Sequence, residues 1–108
     1  MAEESAAKGA ELARLESKLG VELLWLHVLS ILKGKEMHGY ALRREIQERF
    51  GFKPGQVSAY VVLYKMEAAG LVRTTREGVR RVYRITPLGK RRLDEARHFL
   101  EKRMSELF

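Results

Sequence analysis

The chain has 108 residues, no cysteine and a formal charge of +7, from 21 Lys and Arg against 14 Asp and Glu. That length fits one domain with a modest core, in which association between copies is a natural source of extra stability. The missing thiols exclude a disulfide framework, a thiolate metal site and a cysteine nucleophile. The longest apolar stretch, residues 21–32, contains Glu22 and His27 and is too short to span a bilayer. The mixed-charge N-terminus lacks an apolar signal core, so the expected location is cytoplasmic, with no membrane partner.

Residues 1–9 are small and charged and read as a flexible N-terminus. From Ala10, the residues Leu12, Leu15 and Leu19 recur at helical spacing, and Gly20 interrupts or bends that helix. Residues 21–32, which include Trp25, are apolar on nearly every side, a pattern that buries a helix on more than one face. One face meets the protomer's own core; another, with Leu23 and Leu26, is available to a partner. Gly34, between Lys33 and Lys35, closes the segment. A second helix over 38–50 carries Tyr40, Ala41, Ile46 and Phe50 as its inner stripe. Its Arg43, Arg44, Gln47, Glu48 and Arg49 face outward, and Gly51 ends it as a C′ glycine does.

Phe52-Lys53-Pro54-Gly55 reads as a turn. A third helix follows over 56–69, with Tyr64 assigned to the core beside Leu63, and Gly70 stops it. The period then changes from 3.6 to 2. Residues 71–76 and 80–86 form a hairpin about Glu77-Gly78, with Tyr83 and Ile85 on one face and Val82 and Arg84 on the other. Thr86-Pro87 is an N-cap followed by proline at the first helical position. The last helix, 87–107, carries Leu93, Ala96, Leu100, Met104 and Leu107 in a nearly heptad stripe. With no core left to cover, that stripe is assigned to dimerisation together with Leu23 and Leu26.

The predicted fold is mainly α with a small β-hairpin. It is a winged helix-turn-helix domain over 10–86, N-terminal helix included, and a dimerisation helix over 87–108. The charge follows this plan. Residues 71–92 carry eight Lys and Arg against one acid, and so hold the whole surplus. Arginine pairs phosphate bidentately or enters a narrow minor groove, and a basic wing behind a helix-turn-helix points to double-stranded DNA. Lys53, Gln56, Ser58 and Tyr60 at the start of the third helix, with Arg76, Arg80 and Arg81 of the wing, are the expected contacts. Capping of the helix by Gln56 and Ser58 is the plainer alternative for those two. A non-specific architectural DNA binder and a winged-helix module that docks an acidic protein are the alternative functions. Lys90, Arg91 and Arg92 sit at the N-terminal end of the last helix, where cations are disfavoured. His27, His38 and His98 lie on three different helices without ligand spacing. No catalytic set or phosphate loop is present, so neither a metal, a cofactor nor an enzyme activity is expected.

MHGYALRREIQERFG at 37–51, SAYVVLYKMEAAGLV at 58–72 and RRVYRITPLGKRRL at 80–93 together resemble the PadR family of transcriptional regulators. Met37-His38-Gly39-Tyr40 is the most specific piece. The resemblance implies a dimeric winged-helix repressor-type protein on a near-palindromic operator, with dimerisation through the C-terminal helix. It also places Ser58 and Tyr60 where the family carries Thr and Tyr at the DNA-facing start of the third helix. Two positions depart from it: Val57 stands where the family commonly has Gly, and Val61 where it has Pro. Some short members bind flat aromatic effectors between protomers through a Trp on the last helix. Here that helix offers Phe99 and Phe108, and Trp25 lies elsewhere.

Overall fold

The computed structural model describes residues 9–108, so the predicted flexible N-terminus lies, apart from Gly9, outside the described residues. Helix α1, Ala10–Leu19, starts with Glu11 near the positive end of its dipole and ends with Lys18 near the negative end. It stops at Gly20. A 3-10 turn, Val21–Leu23, leads into α2, Leu24–Leu32. Helix α2 is the hub of the core: Leu24, Val28, Leu29, Ile31 and Leu32 are all buried. Around it pack Leu42 and Ile46 of α3, Gly39–Phe50, and Ala59, Leu63 and Met66 of α4, Gln56–Ala68.

The wing consists of β2, Val72–Glu77, and β3, Arg80–Ile85. It is not a lone hairpin as expected. Met37 and His38 leave the helical path and form a short strand, β1, against β3, giving an antiparallel sheet in the order β1-β3-β2. This places Val82 between His38 and Thr75 in the central strand, where it is buried rather than outward-facing. The hairpin loop is Gly78-Val79. Gly78 takes φ +64° while no non-glycine residue among the described residues has positive φ, the pattern of a turn that needs its left-handed residue first. Tyr83 and Ile85 carry the opposite face of β3 into or against the core.

Helix α5, Pro87–Leu107, is anchored at its first turn. The Thr86 hydroxyl accepts the Gly89 amide at 3.0 Å and donates toward the carbonyls of Gly70 at 2.6 Å and Leu71 at 3.1 Å. Gly89 is buried so closely on β2's approach that a Cβ would collide with the Leu71 carbonyl and the Ile85 side chain. One side chain thus ties the end of α4, the start of the wing and the start of α5. Beyond Leu93, which packs on the core, the stripe is progressively uncovered: Ala96 is half-buried, and Leu100, Met104 and Leu107 are exposed. Among the described residues, no helix is long and apolar enough to cross a membrane.

Three further inside-outside assignments are corrected. Tyr40 and Phe50 of α3 are exposed; Leu42 and Ile46 supply its inner face. Tyr64 of α4 is 73% exposed, because Leu63 and Met66 already fill the space against α2. The Phe52–Gly55 segment forms no hydrogen-bonded turn, and Gly55 has φ −59°. It is held by the Arg43 Nε, which donates to the Pro54 carbonyl at 3.2 Å, and Pro54 itself is buried.

Candidate nucleic-acid interface

Helix α4 has one face in the core and one face free. Its N-cap is Gly55, and no side chain makes a capping bond there. Gln56 and Ser58 are therefore not caps; both are exposed at the leading end, beside the exposed Lys53. Tyr60 is only partly free. Its ring lies against Gly39, so closely that a Cβ at position 39 would come within 2.9 Å of the ring edge. The rest of the outer face is Val57, 78% exposed, Val61, 46%, and Tyr64.

The wing's charges are arranged against their own stability. Arg73 is directly opposite Arg84, and Arg76 directly opposite Arg81. Like charges in cross-strand pairs repel, by up to roughly 1 kcal/mol each. Glu36 relieves the first pair, binding Arg84 at 2.9 Å. Arg73, Arg76 and Arg81 have no ion pair among the described residues. Residues directly opposite share a face, so Arg76 and Arg81 lie on the same side of the sheet as Val72, Thr74 and Tyr83, the side that meets α4.

A cleft of about 480 Å³ separates α4 from the wing and is lined by His38, Tyr40, Tyr60, Tyr64, Arg80 and Arg81, among others. Arg80 is pre-oriented there: its guanidinium lies 4.8 Å over the Tyr40 ring and donates to the Tyr40 hydroxyl at 3.2 Å. His38 also stacks on Tyr40, the ring centroids 5.5 Å apart, and comes within 3.5 Å of Glu77. Glu67, the acid in the cleft, accepts from the Thr74 hydroxyl at 2.6 Å, which fixes it to β2. Burial pushes the Tyr83 phenol above its ordinary pKa, against the opposing pull of Arg81.

The structure thus brings Tyr60, Arg80 and Arg81 together on the cleft, while Lys53, Gln56 and Ser58 are exposed at the leading end of α4, outside its lining. Arg76 stands opposite Arg81. The sequence reading missed Tyr40 and Tyr64 at this surface. A usable signal for Tyr40 was its place beside the glycine of the Met-His-Gly-Tyr motif. For Tyr64 it was the one-turn step from Tyr60.

The second group lies elsewhere. A groove of about 590 Å³ between α2 and α5 is lined by Leu26, Leu93, Leu100 and Met104, with Lys33, Lys90, Asp94 and Arg97 on its edges. Ala96 and the half-buried Leu23 are not among its lining residues, and Leu107 lies beyond it near the free end of α5. The Asp94 carboxyl is held below its usual pKa, first by the hydrogen bond from Arg97 at 2.8 Å. His27 is structural: its Nδ1 lies 2.8 Å from the Leu23 carbonyl, and its ring meets Phe50 and Phe52 edge-on. No group of three His, Asp or Glu suited to a metal occurs among the described residues.

Comparison with known proteins agrees with this geometry. Residues 28–95 match the model of the transcriptional regulator PadR-like family. A transcriptional regulator of Mycobacterium tuberculosis is 36% identical over 86 residues, covering 76% of this chain and 79% of its own. A PadR family transcription regulator of Clostridium difficile superposes with a TM-score of 0.67 at 25% identity, over 77% of this chain and 95% of that one. PadR of Bacillus subtilis, solved in complex with operator DNA, superposes with a TM-score of 0.59 at 26% identity, over 68% of this chain and 46% of that one. Winged helix, basic wing and sequence match agree, and the chain belongs to the PadR-like family of transcriptional regulators.

Proposed function

We propose that the chain acts as a homodimeric repressor-type regulator that binds a near-palindromic operator. Helix α4 enters the major groove, and the wing meets the phosphate backbone or the minor groove. The observation that carries this reading is the Arg76–Arg81 pair: two like charges directly opposed, without a carboxylate partner among the described residues, on the side of the sheet that meets α4. Such an arrangement costs stability in the free protein and is relieved by an external polyanion. Lys53 and the first-turn amides of α4, which no side chain caps, suit a phosphate. Gln56, Ser58 and Tyr60 suit base edges, while Arg76, Arg80 and Arg81 set affinity and register.

The exposed apolar stripe of α5 and the groove beside it support pairing with a second copy through Leu93, Ala96, Leu100, Met104, Leu107, Leu23 and Leu26. Two wings at fixed separation then read two half-sites. Repression needs nothing more than occupancy of the operator.

Fluorescence anisotropy with duplexes from the protein's own promoter region tests the reading. Saturable binding is expected, at least tenfold tighter than to shuffled duplexes of equal composition. With about four phosphates neutralised per protomer, the log–log salt slope of the dimer should be about −7. Equal affinity for shuffled duplexes would instead support a non-specific architectural binder. Arg80→Ala with Arg81→Ala that leaves DNA affinity unchanged would remove the wing from the interface.

A further inference from the structure

Four side chains on the outer face of α4 are spent neither on the core nor on capping: Val57, Tyr60, Val61 and Tyr64. Their spacing of i, i+3, i+4 and i+7 makes them one stripe. With Gln56 they line a single shallow depression. A contiguous exposed apolar patch marks a binding surface, and its surroundings say which. Arg76 and Arg81, which have no ion pair among the described residues, lie on the side of the sheet that meets α4, and Lys53 and Lys65 are exposed on or beside the helix. An apolar protein partner would have to desolvate those cations. The major groove of a duplex offers phosphates to the cations and, on its base edges, one apolar group: the C5 methyl of thymine.

We propose that Val57 and Val61 read thymine methyl groups, making this chain selective for A·T pairs at two positions in each half-site. The inference rests on the reading of α4 as the DNA-facing helix. The two valines are one helical turn apart, roughly 6 Å along the axis. Base pairs rise roughly 3.4 Å, so the methyls belong to neighbouring or next-neighbouring steps. Tyr60 and Tyr64 wall the stripe on the side of the cleft and keep water from the contact.

The test uses the full chain and a randomised duplex pool. Bound duplexes are selected and sequenced, and each enriched thymine is then replaced singly by deoxyuridine. That change removes the methyl and keeps the pairing and the O4 acceptor. Two thymines per half-site are expected to respond, each losing roughly fourfold in affinity and both together roughly fifteenfold. In V57A/V61A, whose alanines suit an exposed helix, the thymine-to-deoxyuridine ratio should fall to near one. Enriched sites that lack thymine, or that bind equally well with deoxyuridine, overturn the methyl reading while leaving operator binding intact. A pool that yields no enriched sequence overturns the specific-DNA reading of α4 and this inference with it.

Discussion

Thr86→Val is the sharpest test of how the wing and the last helix are joined. The substitution keeps the branched shape and removes one oxygen. That oxygen accepts the Gly89 amide at 3.0 Å and donates toward the Gly70 and Leu71 carbonyls at 2.6 and 3.1 Å. Loss of the N-cap acceptor costs about 1 kcal/mol. Loss of the hydroxyl's own donated bond costs about 1 kcal/mol more. Gly70 is exposed, so its carbonyl regains water; Gly89 is buried, so its amide does not. The total is about 2 kcal/mol, which for a chain of this size lowers Tm by roughly 8 °C. Circular dichroism melts at several protein concentrations separate this loss from any change in association. Thr86→Ser retains the oxygen and should melt within roughly 2 °C of the parent. A Thr86→Val protein as stable as Thr86→Ser would show that the hydroxyl does not hold the junction.

Leu100→Asp puts a charge in the groove between α2 and α5; sedimentation should show monomers, and operator affinity should fall at least tenfold. Arg76→Ala with Arg81→Ala should weaken DNA binding and flatten the salt slope. The same change should leave the protein equally or more stable in urea, by up to roughly 1 kcal/mol, because it removes an opposed like-charge pair. Tyr83 gives an alkaline signature. Its phenol is raised by burial, so the folded state holds that proton more tightly than the unfolded chain. The associated stability is complete below the unfolded value of 10.0 and is lost as pH climbs through the folded one. Urea midpoints taken across that window should decline less in Tyr83→Phe than in the parent.

The sequence announces most of the elements because they are bounded by residues with strong local meaning. Gly51 and Gly70 end α3 and α4, Gly78 turns the hairpin, and Thr86-Pro87 starts α5. What it hides has physical causes. Strand β1 is two residues long, too short to show a period, and exists because β3 offers it an open edge. The inner face of α4 is hidden because apolar residues surround the helix: Leu63 and Met66 point inward, while Val57, Val61 and Tyr64 point out. A hydrophobic pattern finds the core face only when the other face is polar. Helix α5 shows the reverse. Its stripe is regular and legible as apolar, and most of it covers nothing within the protomer, as its place after the last core element predicts.

The Met-His-Gly-Tyr motif shows why the most recognisable residues of this chain need not be its base contacts. Met37 and His38 pair with Tyr83 and Val82, attaching β3 to the helical core. Gly39 is bare so that the Tyr60 ring of α4 can lie on it. Tyr40 holds the Arg80 guanidinium of the wing. Four consecutive residues therefore fix the sheet, helix α4 and a wing arginine relative to one another. Gly39→Ala should act on all three. Its Cβ falls 2.9 Å from the Tyr60 ring edge, and crowding of this kind costs typically about 1–3 kcal/mol. If the ring swings outward to escape, Tyr60 enters the space that a base edge would occupy, and DNA affinity falls by more than the stability loss explains. Adding Tyr60→Ala should restore the melting temperature toward that of Tyr60→Ala alone. If the two substitutions instead add without coupling, the glycine is not there for the tyrosine, and the joint assigned to this motif must be sought elsewhere.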